Sequence, residues 1–400
     1  MRVRRGLSAL FAIATAVALT SAVAASAAPG GSWDEVPSPH VSSNASDITA
    51  MVSTGTSTWA FGWTRAYVGG TFEWRVWGEQ WDGSSWTRLL TMRDVETAPA
   101  QDFLYGADGT SDTDMWVVGR SLNNSSQRIG QLLIEHWDGQ NWTIDNSSPT
   151  PGLGSALLAI DARTESDVWA VGETHYPNGS DYNGFVLHRT NLGWAEVPFN
   201  PVVPGCKPGF RGELNAVDAV AADDVYVAGW CQSQPVGPPH GFVMHWDGQA
   251  WTLTLRAEGK TALRELATGP DGQVWVAGNR DGGNPTYPIV YHGTAAAGWT
   301  QVPVRHGAAL NGTIDALAVS DKGVVIAGQL GDNRGIQPTQ TYALRLGADG
   351  RWRKEPVNAV GAVYARAHAM AVEPGGTEWI GGVAVGGTHL DPVSMLARRN

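Results

Sequence analysis

The chain has 400 residues, 42% of them apolar, 9% aromatic and only 16% charged, with 38 acidic against 27 basic residues. Such aromatic and apolar content excludes a disordered chain, and the acidic balance excludes a nucleic-acid surface, which needs a basic patch. Two cysteines exclude a disulfide-scaffolded fold and a four-cysteine zinc site.

Residues 1–27 read as a cleaved export signal. Arg2, Arg4 and Arg5 form its charged start, residues 7–23 its Ala-rich apolar stretch, and Ala25-Ser26-Ala27 a small-residue cleavage site. The apolar stretch is weakly hydrophobic and barely long enough to span a bilayer, so removal is expected rather than anchoring. No cysteine lies near the cut, so no lipid anchor is expected. Arg4-Arg5 loosely matches a twin-arginine signal, which leaves the export route open. The remainder carries about fourteen more acidic than basic residues and no second long apolar run. A soluble, secreted domain over 28–400, without a membrane span, is the expectation.

That remainder repeats one unit seven times. A turn followed by Trp recurs at Trp33, Trp86, Trp142, Trp194, Trp251, Trp299 and Trp352, spaced 48 to 57 residues apart. A second anchor ends in Gly after three mostly apolar residues, at Gly62, Gly119, Gly172, Gly229, Gly278, Gly328 and Gly382. Each unit reads as four short strands: an apolar first strand, a second ending in the anchor Gly, a third such as residues 132–137, and a fourth starting at the anchor Trp. Asp-Gly pairs between the third and fourth runs are hairpin signals, because Gly takes positive φ without steric cost.

Four-stranded units of about 50 residues are β-propeller blades. The chain begins with a fourth strand at Trp33 and ends with a third strand near residue 395. The expected fold is therefore all-β: a seven-bladed β-propeller whose N-terminal strand completes the last blade. The repeats resemble kelch-like and galactose-oxidase-like secreted propellers, and the WDG–W repeats of exported bacterial proteins. The resemblance spans the mature chain at the level of fold. The kelch double glycine is matched only at Gly381-Gly382. Asp82, Asp138 and Asp247 stand four residues before their Trp, where a sialidase Asp-box needs five. No motif matches the Tyr–Cys crosslink and histidines of a galactose-oxidase copper site.

Strict repetition marks scaffold. Trp86, Trp142, Trp251 and Trp352 are expected to pack blade on blade, and the Asp-Gly pairs to make turns. His136, His188, His245 and His292 recur on third strands too far apart for a metal, and read as hydrogen bonders spanning blades. No cofactor or metal is implied. Function belongs where the repeat varies: the fourth-to-first and second-to-third connections, which open on one face. Cys206 and Cys231 fall on that face of blade 4, and a disulfide between them is expected in an oxidising compartment.

Alignment of the first strands gives Asp47, Asp102, Ala156, Glu213, Ala262, Thr313 and Arg366. Two residues on it gives Thr49, Leu104, Leu158, Asn215, Arg264, Asp315 and His368. Alternation turns both sets to one side of their strands, and first strands line a propeller's channel. Arg264, Asp315 and His368 are thus candidate acid–base or anion-holding residues. Asn215, Glu213 and Arg366, with the loop aromatics Trp63, Tyr176, Tyr182, Trp230 and Tyr287, are candidate ligand contacts. The reading is an exported monomeric propeller that binds a carbohydrate, small molecule or extracellular protein. The alternative is a secreted lyase, hydrolase or cyclase using the channel mouth.

Overall fold

The computed structural model describes residues 32–38, 45–89, 101–122, 130–149, 152, 154–175, 182–200, 202–206, 212–232, 237–282, 286–304, 312–330, 340–358, 362–386 and 389–400. The expected leader, residues 1–27, and Tyr176 lie outside them.

Seven antiparallel sheets follow one another along the chain. Their first strands are Ser46–Thr54, Asp102–Ser111, Ala156–Thr164, Gly212–Ala221, Thr261–Thr268, Gly312–Ser320 and Ala362–Val372. Each first strand touches those of the blades on either side, and the last meets the first, so the ring closes. Blade 7 is completed by the N-terminal strand Trp33–Glu35, antiparallel to His389–Arg399. Val357–Asn358 adds a parallel fifth strand outside it. Among the described residues no helix is long and apolar enough to cross a membrane.

The closing strand is held by a buried ionic network. Trp33 Nε1 donates to Glu355 Oε2 at 3.0 Å, and Arg345 Nε donates to Glu355 Oε1 at 2.7 Å. Arg345 also pairs with the fully buried Glu378, and Arg399 reaches both Glu355 and Glu378 at 3.3 Å. Groups from both chain ends and from blades 6 and 7 thus share two carboxylates.

Each anchor Trp packs on the preceding blade. Trp86 meets Trp379 edge-on at 5.0 Å, Trp142 meets Phe61 at 5.7 Å, and Trp194 meets Trp116 at 5.8 Å. Edge-to-face rings at these distances add to the area buried between blades. The Asp-Gly turns are Asx turns: Asp138 Oδ1, for example, accepts from the backbone of Gln140 and Asn141 at 2.8 and 2.7 Å. Three of the four repeated histidines bond within a blade, not between blades, and the fourth, His292, stacks on Trp275 at 4.8 Å. His136, His188 and His245 meet Asp114, Asp167 and Asp224 at 2.7–2.8 Å while lying over Trp116, Trp169 and Tyr226 of the second strand. An Asp two residues before the aromatic and a His opposite it in the pairing register make this contact local.

Candidate functional site

Every first strand bulges at one equivalent position, and those of blades 2, 3, 4 and 7 slip once more elsewhere. The pairing register slips at Thr49, Tyr105, Leu158, Asn215, Arg264, Asp315 and His368. The second-strand anchor glycines face these bulges. A Cβ on any of the seven would lie 1.8–2.2 Å from the carbonyl oxygen two residues before the bulge, far inside contact distance. The anchor Gly is therefore a condition of the bulge. In blade 2 the register is one residue later than the sequence alignment suggests. Phe103 and Tyr105 occupy the two channel positions, while Asp102 is fully buried and Leu104 fills the core.

The bulged side chains reach toward the next blade. Thr49 Oγ1 donates to the Leu104 carbonyl at 2.7 Å, and Asn215 Nδ2 to the Leu263 carbonyl at 2.9 Å. Asp315 accepts from both Arg366 Nε and Nη2, at 3.1 and 2.9 Å, and from Thr313 at 2.8 Å. His368 Nδ1 lies 3.0 Å from Asp47 Oδ1.

Beneath this ring the channel holds a cavity of about 230 Å³, lined by Thr49, Tyr105, Leu158, Asn215, Glu265 and His368 among others. The residue after each bulge is small in six blades: Ala50, Gly106, Ala159, Ala216, Ala316 and Ala369. In blade 5 it is Glu265. Burial against the surrounding blades, reinforced by the Asp315 carboxylate and opposed by Arg264, lifts the Glu265 carboxyl to about 8. It faces the cavity as a neutral acid at pH 7. Three further channel carboxyls, Asp108, Asp161 and Asp218, are also pushed up by burial. They act as staples: Asp108 accepts from the Ala162 backbone of blade 3 at 2.7 Å, and Asp161 and Asp218 accept likewise from Ala219 and Thr268. Among the described residues no cluster of His, Cys, Asp and Glu could hold a metal.

An aromatic arm leads to this cavity. Ser57–Val68 and Thr71–Trp81 form a long hairpin whose turn, Gly69-Gly70, has φ of 59° and 93°. Both turn residues at positive φ are what a two-residue hairpin loop with the strands' own twist demands. Pairing of Tyr67 with Phe72 and of Arg65 with Trp74 sets these side chains, and Trp63, on one face. Rings then follow one another: Tyr67 to Phe72 at 5.1 Å, Phe72 to Trp74 and Trp74 to Phe103 at 6.3 Å, Phe103 to Tyr105 at 6.4 Å. Trp63 flanks Phe103 at 6.1 Å. Arg65 stands 4.9 Å over Phe72, and Arg120 covers Phe103 and Tyr105 at 5.3 and 5.9 Å. The tip is open, with Tyr67 65% and Phe72 51% exposed, and Tyr105 at the other end lines the cavity.

Of the residues singled out from the sequence, Asn215 and His368 line the cavity. Asp315 and Arg366 pair beside it, and Arg264 is exposed. Glu213 accepts from Trp230 Nε1 at 3.0 Å across the strand pair of blade 4, and Tyr287 stands opposite Arg280 in blade 5. Tyr182 opens the third strand of blade 3. Trp63, expected in a loop, belongs to the extended hairpin. Cys206 and Cys231 form the disulfide, with Cα atoms 5.7 Å apart. Sequence reasoning passed over Glu265, Tyr105, Phe72 and Trp74. The Gly69-Gly70 pair between β-rich runs was the available signal for the arm, and the charged residue in a row of Ala and Gly was the signal for Glu265.

No protein-family model matches the chain, and no curated protein matches it in sequence. Among solved structures, a protein of unknown function from Dyadobacter fermentans DSM 18053 is 10% identical with a TM-score of 0.53, over 93% of this chain and 100% of that one. A chain of a mitotic checkpoint complex is 9% identical with a TM-score of 0.50, over 88% and 90%. An ulvan lyase, a polysaccharide lyase, aligns over 92% and 93% at 9% identity and a TM-score of 0.47. Likeness at such identities is one of fold.

Proposed function

We propose that the protein is an exported binding propeller that captures a glycan chain along the aromatic arm and leads it to the channel mouth. The single observation that carries this reading is the run of rings from Tyr67 to Tyr105, half open at its tip and ending at a polar cavity. Aromatic faces suit the apolar C–H faces of sugars, and the flanking guanidinium groups suit their hydroxyl oxygens. Aromatic residues and Arg also anchor protein partners, and the titrations below decide between the two. Export is supported by the leader-like sequence of residues 1–27 and by the disulfide, which suits an oxidising compartment.

The test is calorimetric titration of cellohexaose, xylohexaose, maltohexaose and chitohexaose into wild type and into Phe72→Ala and Trp74→Ala variants. A ring that anchors a ligand is worth about 2 kcal/mol or more, so loss of about thirtyfold in affinity is expected. Binding of none of the four, or equal binding by the variants, would refute the reading.

A second reading, an acid–base enzyme, has one observation in its favour: His368, oriented by Asp47, and the neutral Glu265 face the same cavity. It requires that His368→Ala abolish turnover of a bound oligosaccharide while leaving its binding on the arm intact.

A further inference from the structure

The cavity beneath the bulge ring has a hydrogen-bonding character of its own. Three of its polar groups have each committed a donor elsewhere. Thr49 gives its hydroxyl proton to the Leu104 carbonyl and Asn215 an amide proton to the Leu263 carbonyl. His368 Nδ1 is engaged by the Asp47 carboxylate, and in the neutral imidazole donation from Nδ1 leaves Nε2 as an acceptor. What remains for a ligand is mostly acceptors: a hydroxyl oxygen, an amide oxygen and an imidazole nitrogen, beside the second Asn215 amide proton.

The other groups that can donate are the Tyr105 hydroxyl and the Glu265 carboxyl. No cation lines the cavity among the described residues. Arg264 lies near Glu265 but does not line the cavity, and Arg366 is committed to Asp315. A ligand carboxylate or sulfate would therefore meet mostly acceptors, with no Lys or Arg in the lining to pair with. A molecule rich in hydroxyl donors and without charge would meet complementary groups at most of its edge.

Size narrows the class further. About 230 Å³ falls below the roughly 300–1,000 Å³ that holds a drug-sized ligand. The apolar Leu158 and the small ring residues leave room for one compact ring and for its apolar face.

We propose that the channel cavity is a separate binding pocket for one uncharged pyranose unit, with Tyr105, Asn215, Glu265 and His368 as its polar contacts. Its further role, holding the terminal unit of a chain laid on the aromatic arm, rests on the glycan-binding reading.

Short probes separate the two. Methyl β-glucoside, methyl β-xyloside and methyl N-acetyl-β-glucosaminide fit the pocket but are too short to use the arm; glucuronate is the charged control. The reporter is the His368 imidazole resonance, assigned by its loss in His368→Gln. A saturable millimolar shift with at least one neutral glycoside is expected, with no response to glucuronate. Glu265→Ala should weaken it about tenfold. Glu265 is faced by Asp315 and Arg264 and shares the cavity with His368. With its carboxyl near 8, affinity in the wild type should fall about tenfold between pH 7 and pH 9, and Glu265→Gln should remove that fall. The response should survive in Trp74→Ala. No saturable shift with any neutral glycoside, or an equal shift in Glu265→Ala, overturns the pocket. Loss of hexasaccharide binding in Trp74→Ala bears only on the arm, so either idea can fail alone.

Discussion

Glu79 makes the fold sensitive to pH in a direction opposite to that of a salt-bridged carboxylate. It lies on the third strand of blade 1 with no exposed surface. Ser38 donates to Oε2 at 2.7 Å, and Oε1 has no hydrogen-bond partner. Burial outweighs the serine and pushes the carboxyl from 4.5 up to about 7. The native state therefore holds a proton that the unfolded chain releases above about 4.5. The stability this proton represents is complete below pH 4.5 and is lost as pH rises through 7. At 1.36 kcal/mol per pH unit the loss is about 3 kcal/mol. With an unfolding entropy of roughly 2.1 cal/mol/K per residue, the unit Gly31–Asn400 would lose about 4 °C in Tm. Glu79→Gln keeps the shape and an acceptor and cannot ionise. Scanning calorimetry of wild type and variant at pH 4.5, 6, 7 and 8.5 reads the effect as the difference between the two curves. That difference should move by about 4 °C in favour of the variant between the ends. The channel carboxyls cancel in the difference, because distant sites add independently. Parallel curves would show that Glu79 is ionised, or solvated, throughout.

The disulfide and the ring closure give two further tests. Cys206 and Cys231 are 25 residues apart in sequence, which in the chain-entropy view stabilises the fold by about 3 kcal/mol; Cys206→Ser/Cys231→Ser should lose that much in urea unfolding, and an unchanged midpoint would refute it. Glu355→Ala removes the carboxylate shared by Trp33, Arg345 and Arg399. Breaking a buried pair from one side costs about 3–5 kcal/mol, so this variant should unfold at markedly lower urea, with the ends of the chain becoming protease-sensitive first.

Blade number, strand order and ring closure were legible because each depends on a local, repeated signal, and the disulfide because the chain has only two cysteines. Trp33 at the start and a third strand at the end announce the closing strand before any contact is known. The site was less legible, for a geometric reason. One slipped residue in blade 2 exchanges Leu104 for Tyr105, and with it a core side chain for a channel side chain. No local pattern reports that slip, since Asp102, Phe103, Leu104 and Tyr105 fit either register. The arm was hidden differently. Its hairpin lies in a connection that varies between blades, so repeat logic assigned it to a loop, while Gly69-Gly70 and the alternation around it encode strands.

The bulge explains why chemistry gathers at this depth of the channel. The residue before each bulge is Ile48, Leu104, Leu157, Leu214, Leu263, Ile314 or Ala367, all fully buried, and the residue after it is small in six blades of seven. Those positions are bound by packing against neighbouring blades. The bulged residue is bound by neither the ladder nor the core, because it has no partner in the register. Its seven occupants are Thr, Tyr, Leu, Asn, Arg, Asp and His, no two alike. A β-propeller that fixes one glycine per blade to permit a bulge thereby leaves seven converging side chains free to differ without disturbing the sheets. In this chain that freedom is combined with the one break in the small-residue ring, Glu265, two blades from His368. The polar cavity follows from departures at positions where the scaffold tolerates them.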